Sequence, residues 1–217
     1  KKFLQRARGR YVLLLNTDTE VAPDTLSGML SFMDANPSTG AATCKLLLMD
    51  GSIDPACHRG FPTPWRSFAY MSKLAKLFPK SRFFAGYHMT YLDFSTVHDV
   101  DMISGAFFLV RREVIEKVGL LDEEYLMYGE DMDWCMRIKE AGYRILYNPN
   151  FTILHKKKQS GRAHADRARR VRTKMLFYRY NHLFFTKNYS KKYGFFVRFL
   201  VNTMFRLRIL IVRVFAL

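Results

Sequence analysis

Tyr11, Val12, Leu13, Leu14 and Leu15 form an unbroken apolar run of strand length. A strand with no polar face must be covered on both sides, which is the situation of inner strands in layered α/β sheets. The run stops at once in Asn16, Thr17, Asp18, Thr19 and Glu20. A polar cluster at the carboxyl end of a buried strand is where open α/β sheets place their ligands. Pro23 then opens a helical pattern (Leu26, Met29, Leu30, Met33) that runs out near Asn36 and Pro37. Residues 40–48 read as a second strand, closed by an Asp50-Gly51 turn. Strand, helix and strand in this succession make a βαβ-like unit, so the spacing predicts an α/β class.

A second organised stretch covers residues 103–155. Residues 104–110 read as a buried strand opened by glycine. Residues 135–142 read as an amphipathic helix stopped by Gly142. Between them Glu130, Asp131 and Asp133 crowd a helix entrance. Acids there favour the positive end of the helix dipole and solvate the turn, or they serve chemistry in a cleft. Asp133 and Arg137 are four apart, the spacing of an intrahelical ion pair, so we assign them to structure. Residues 143–147 read as a strand, Asn148-Pro149-Asn150 as a turn, and residues 151–154 as a second extended segment leading to His155. Between these stretches the signals weaken. Residues 65–78 suit a helix with aromatic contacts, and residues 79–99 a long irregular loop of the kind often found at binding sites. His58, His88 and His98 have no ligand-like spacing and read as ordinary.

Charge divides the chain. Residues 1–155 carry equal numbers of bases and acids, whereas residues 156–217 carry 17 Lys and Arg against Asp166 alone. We therefore expect a neutral α/β unit over residues 1–161 and a basic helical appendage over residues 162–217. Within the appendage, residues 162–189 suggest a long helix with Met175, Leu176, Tyr180, Leu183 and Phe184 as its apolar stripe. Residues 193–217 are nearly apolar enough for a membrane span, but each arginine at mid-bilayer depth costs about 2.5–3.5 kcal/mol. Arg198, Arg206, Arg208 and Arg213 fall with Asn202 on one arc of a helical wheel, leaving Phe196, Phe199, Leu200, Leu207, Leu210 and Ile211 outside it. That pattern predicts a helix lying in the headgroup plane of an anionic membrane; the other reading is packing on the domain or a partner. Cys44, Cys57 and Cys135 form no CxxC pair, which argues for free thiols in a reducing compartment.

Five segments occur in an order that resembles family 2 glycosyltransferases, nearest to bacterial rhamnosyltransferase-type enzymes of cell-surface polysaccharide assembly. They are residues 14–21, Ser104-Gly105-Ala106 through Arg111-Arg112, residues 118–123, residues 128–137, and His155 with Ser160. The resemblance spans Gly9 to about Lys187. It implies a GT-A (Rossmann-like) fold, an inverting mechanism, a nucleotide-diphosphate sugar donor and a divalent metal, Mg²⁺ or Mn²⁺. Asp18 resembles the second acid of the family's Asp-x-Asp motif and His155 its late metal-ligating histidine. Asn16 stands where the first acid usually does; it offers a carbonyl or a hydrogen bond but no charge. Asp131 matches the general base that takes the proton of the acceptor hydroxyl. Glu130 is expected to orient the acceptor, and Gly105 to let backbone approach the bound sugar.

The appendage fits the same scheme, because such enzymes often act on acceptors carried by polyprenyl diphosphate. We expect transfer of rhamnose or a hexose to a lipid-linked or polysaccharide acceptor at the cytoplasmic face of the cell membrane, the protein being peripheral. Residues 156–158 and 162–172 would hold a diphosphate or anionic lipid. The alternatives are a nucleic-acid-binding protein with a basic tail, disfavoured by the alternation of arginine with large aliphatic residues, and a membrane-docking module without activity. The first residue is Lys1, and only nine residues precede the first predicted strand residue, Arg10. Since the family's first strands bind base and ribose, we expect an N-terminally truncated catalytic domain that binds donor poorly.

Overall fold

The computed structural model describes residues 6–156 and 167–214. Its centre is a six-stranded mixed sheet ordered β1-β5-β3-β6-β2, with β4 also on β6. These strands are β1 Tyr11–Leu15, β2 Thr19–Val21, β3 Thr39–Leu47, β4 His98–Asp99, β5 Phe107–Arg111 and β6 Arg144–His155. The βαβ-like reading of the first 50 residues holds with one change. The helix α1 (Thr25–Ala35) does separate β1 from β3, but β5 lies between the two strands and is antiparallel to both. The sheet's parallel pair is β3 with β6.

Burial follows the apolar runs of β3 and β5 but not that of β1. That strand lies at the edge of the sheet with Val12 buried and Leu15 41% exposed, so the expectation of an inner strand covered on both faces does not hold. Ala41, Ala42, Cys44 and Leu46 of β3 and Phe107, Phe108 and Val110 of β5 have no exposed surface. In α1 the inward face is Thr25, Met29 and Met33, whereas Leu26 and Leu30 are 44% and 38% exposed. Arg111 closes the end of α1, donating from Nε to the Thr39 carbonyl at 2.7 Å and from Nη2 to the Asn36 carbonyl at 3.0 Å. It thereby satisfies oxygens that a helix end and its exit loop leave unpaired.

Three expectations change on contact with the fold. Asn148-Pro149-Asn150 does not turn the chain: β6 runs straight through it, and the ladder to β3 absorbs the extra residues as a bulge between Cys44 and Lys45. Proline is tolerated there because a bulge removes the need for its missing N–H. The helix expected over residues 65–78 splits into α2 (Pro64–Met71) and α3 (Leu74–Leu77), at Lys73 with φ 65°. The strand β2 is only three residues long and was not visible in the polar cluster. Residues 79–97 do carry no helix or strand.

The helix α4 (Arg112–Val118) leads from β5 into a loop and then α5 (Glu130–Glu140). Trp134 of α5 is fully buried, stacked on Phe108 and donating its indole N–H to the Gly119 carbonyl at 2.9 Å. The long helix α6 (Arg167–Asn188) places Tyr180, Phe184 and Phe185 in the same core as the sheet. The helix α7 (Phe195–Val214) folds back along α6 and buries no residue fully. Asn202, grouped with the arginines on the wheel, instead accepts or shares a hydrogen bond with His182 of α6 at 2.8 Å. Lys157, Lys158, Ser160 and residues 162–166 lie outside the described residues.

Candidate active site

The directions of the strands bring one end of the sheet together. Leu15, the last residue of β1, pairs with Phe107, the first of β5. Leu47, at the end of β3, pairs with Leu154, next to the end of β6. The carboxyl ends of β1, β3 and β6 therefore share an edge with the start of β5. Because α5 returns directly into β6, with Tyr143 N–H bonded to the Ile138 carbonyl, its amino end with Glu130 and Asp131 points toward that edge as well.

At the edge, Asp18 and His155 meet. The short strand β2 sets Thr19 opposite His155, and Lys156 N–H donates to the Asp18 carbonyl at 2.8 Å. Asp18 Oδ1 then lies 3.4 Å from His155 Nε2, while His155 Nδ1 lies 2.8 Å from Asp54 Oδ2. The imidazole is 5% exposed and the Asp54 side chain fully buried. Asp54 is itself held by Ala56 N–H at 2.9 Å. One ring is thus flanked by two carboxylates. If Nδ1–H is given to Asp54, Nε2 presents a lone pair to Asp18, and two acceptors face each other. A cation placed between Nε2 and Asp18 would be bound by both. A carboxylate behind a histidine is also the device that fixes tautomer and orientation in metal-ligating histidines.

Asp131 is tied not to Asp18 or His155 but to the segment after Asp54, through Arg59. Arg59, five residues beyond Asp54, approaches Asp131 at 3.8 Å from Nη2 to Oδ2. Arg59 is pinned through its backbone to Met102 and Asp101, and its Nε is buried without a hydrogen-bond partner. Tyr128 and Gly129, immediately before the acid pair, have φ of 68° and 125°. A Cβ on Gly129 would sit 2.9 Å from the Tyr125 ring, so this turn needs glycine on both conformational and steric grounds. One turn along α5, Asp133 bonds Arg137 Nε at 2.9 Å, and Arg137 Nη2 donates to the Leu120 carbonyl at 2.9 Å. The assignment of that pair to structure holds.

Asn16 N–H donates to the Ala106 carbonyl at 3.3 Å, which sets Asn16 beside Gly105. A Cβ on Gly105 would meet nothing within 4 Å; the space in front of this backbone is open. Asn16 is exposed. Sequence reasoning missed Asp54 and Arg59. Asp54 follows a turn signal and Arg59 lies in a stretch without periodicity, so neither carried a mark of its role.

The donor set suits a hard divalent cation. Among the described residues no cluster of three or more His, Cys, Asp or Glu side chains is arranged to hold a metal. Asp18 and His155 would supply two protein donors, leaving the remaining positions to phosphate and water oxygens, as Mg²⁺ at nucleotide sites commonly has them.

Residues 1–174 match the family described as "Glycosyltransferase like family 2". The N-acetylglucosaminyl-diphospho-decaprenol L-rhamnosyltransferase of Mycobacterium tuberculosis is 31% identical over 150 residues, which cover 69% of this chain and 48% of that protein. Rhamnosyltransferase WbbL of Escherichia coli K12 is 26% identical over 170 residues, 77% of this chain and 60% of that one. The chain thus spans about half the length of these relatives. Among solved structures, GalNAc-T7 with UDP, GalNAc and Mn²⁺ superposes with a TM-score of 0.50 at 14% identity, over 73% of this chain and 30% of that one.

Proposed function

We proceed from the family to which this chain belongs, glycosyltransferase family 2, and propose that it is the catalytic part of a transferase moving rhamnose or a hexose from a nucleotide-diphosphate donor onto a lipid-linked acceptor. Its fold is that of the GT-A glycosyltransferases. The observation that carries the reading is the meeting of Asp18 with His155 at the sheet edge toward which Asp131 also points.

In the reaction proposed, the acceptor hydroxyl oxygen attacks the anomeric carbon, the bond from that carbon to the donor's diphosphate oxygen breaks, and the nucleoside diphosphate departs with the electron pair. Asp131 takes the hydroxyl proton, and attack from the face opposite the leaving group inverts the anomeric centre. Arg59 holds the Asp131 carboxylate from one side. Asn16 and the open backbone at Gly105 border the space for the sugar, and Glu130 orients the acceptor. A divalent cation held by Asp18 and His155 would offset the charge growing on the departing diphosphate.

The relative from M. tuberculosis is named for a diphospho-decaprenol acceptor, and we extend that acceptor class to this chain. The surface of α7 supports a membrane-peripheral enzyme. Phe196, Phe199, Leu200, Leu207, Leu210 and Ile211 are between 48% and 69% exposed, forming an apolar stripe that suits lipid and not a nucleic-acid backbone. No helix among the described residues is long and apolar enough to cross a membrane. We place the protein on the cytoplasmic face.

The test is Asp131→Asn, assayed with a panel of nucleotide-diphosphate sugars and a polyprenyl-diphosphate-linked sugar acceptor. Turnover should fall by about 10²-fold or more, with donor affinity and metal titration within about two-fold of the parent, an outcome the general-base role requires. Turnover at the parent rate would sink the role of Asp131.

A further inference from the structure

Between α2 and the α6–α7 pair runs an apolar cleft made of two adjoining hollows, of about 500 Å³ and about 290 Å³. The hollows share Pro62, Ser67, Met71, Asn181, Met204 and Phe205. No charged residue lines the larger one, and the amide of Asn181 is already spent on the Phe177 carbonyl at 2.8 Å. Volumes of this size are those of small-molecule sites; the larger hollow is mostly apolar, while Tyr70, Tyr87, Tyr178 and Arg208 bring polar groups to the smaller.

We propose that this cleft holds the polyprenyl chain of the acceptor, an inference that rests on the lipid-linked acceptor class given above. Pro62, which lines both hollows, follows Arg59, the residue against Asp131, by three positions. Along the other wall, α6 presents Asn181 to the cleft while its neighbour Tyr180 packs on Tyr125, beside Gly129. On this proposal a glycolipid with its sugar at Asp131 extends its chain from there into the cleft. The walls are apolar and partly exposed on both sides, at Phe68 and Met71 of α2 and Leu200 of α7. Charge points to the same occupant. Arg208 borders the smaller hollow. The segment 64–84 that supplies one wall carries Lys73, Lys76, Lys80 and Arg82 and no acid, its Arg66 being paired with Asp101 at 2.6 Å. An apolar slot with a guanidinium on its border matches a ligand that joins a hydrocarbon chain to a diphosphate.

Filling the slot should shorten the chain the enzyme can use. Met204→Trp, with Ser67→Trp on the facing wall as a second variant, would be assayed on two acceptors that carry the same diphosphate sugar on a long polyprenyl chain or on two isoprene units. The ratio of kcat/KM for long over short chain should fall at least ten-fold, the short-chain rate staying within two-fold. An unchanged ratio in both variants, or equal losses on both acceptors, would overturn the proposal. A diazirine-bearing polyprenyl diphosphate gives a readout independent of turnover. Crosslinks on peptides holding Met71 or Met204 support the cleft. Crosslinks confined to the outer stripe at Phe196 and Leu207 overturn it, because they would report burial of α7 in bulk lipid. A protein inactive on both acceptors yet labelled within the cleft would refute the transferase reading and leave the chain site standing.

Discussion

Asp54 acts on the site from behind. It is fully buried, and its contact with His155 Nδ1 leaves Nε2 facing Asp18. Asp54→Ala should weaken divalent-metal affinity by about 10–100-fold, the usual cost of losing such a partner, as measured by isothermal titration; an affinity within two-fold of the parent would show that the ring is held by other contacts. Gly129 governs a different part of the site. Its φ of 125° and the nearness of the Tyr125 ring mean that Gly129→Ala must strain the backbone or move the ring. Such strain costs about 1–3 kcal/mol, and a loss of this order should appear in urea unfolding together with reduced turnover.

At the scale of elements, α5 is fastened to the segment before it by the Trp134 indole and by the guanidinium of Arg137. Arg137 bonds Asp133, whose side chain is 6% exposed, and the carbonyls of Val118 and Leu120. Arg137→Ala leaves a buried carboxylate without its cation, so about 3 kcal/mol of stability should be lost, read as a lower urea midpoint. The helix α7 carries another kind of test. Basic residues near an anionic surface contribute about 1 kcal/mol each, so replacing Arg198 and Arg206 by Gln should cut binding to phosphatidylserine vesicles roughly 30-fold at low salt. Binding unaffected by the double substitution would show that α7 does not face lipid. Element types were largely legible because an apolar run such as 107–110 leaves little choice but burial, although the similar run at 11–15 became an edge strand with Val12 alone buried. The bulge through Pro149 and the strand at Thr19–Val21 were not legible, since both exist only by virtue of the neighbouring strand. Asp18, His155 and Asp131 were named through motif order, while Asp54 and Arg59 owe their roles to tertiary contacts that leave no local pattern.

Over the whole molecule, the buried titratable groups predict how stability follows pH. Burial, with the nearby charges of His98, His88 and Arg59 adding to it, pushes His58 down to about 3; burial also lowers His88 and His98. These rings stay neutral in the fold but bind protons in the unfolded chain once pH drops below the ordinary value of 6.5. Stability should therefore be complete above that value and decline as pH falls toward 3. Urea midpoints at successive pH values check the slope, which His58→Phe should flatten. The three thiols are free and buried, and burial pushes Cys57 up to about 12 and Cys44 and Cys135 higher still. They should resist aromatic disulfide reagents at pH 8 until the chain unfolds. The three-residue ladder between β2 and β6 has a kinetic corollary. It joins positions more than 130 residues apart, a closure that is slow to form. The cation proposed at Asp18 and His155 would therefore be captured only after the docking of the final strand, and the appearance of that affinity during refolding would time the completion of the sheet.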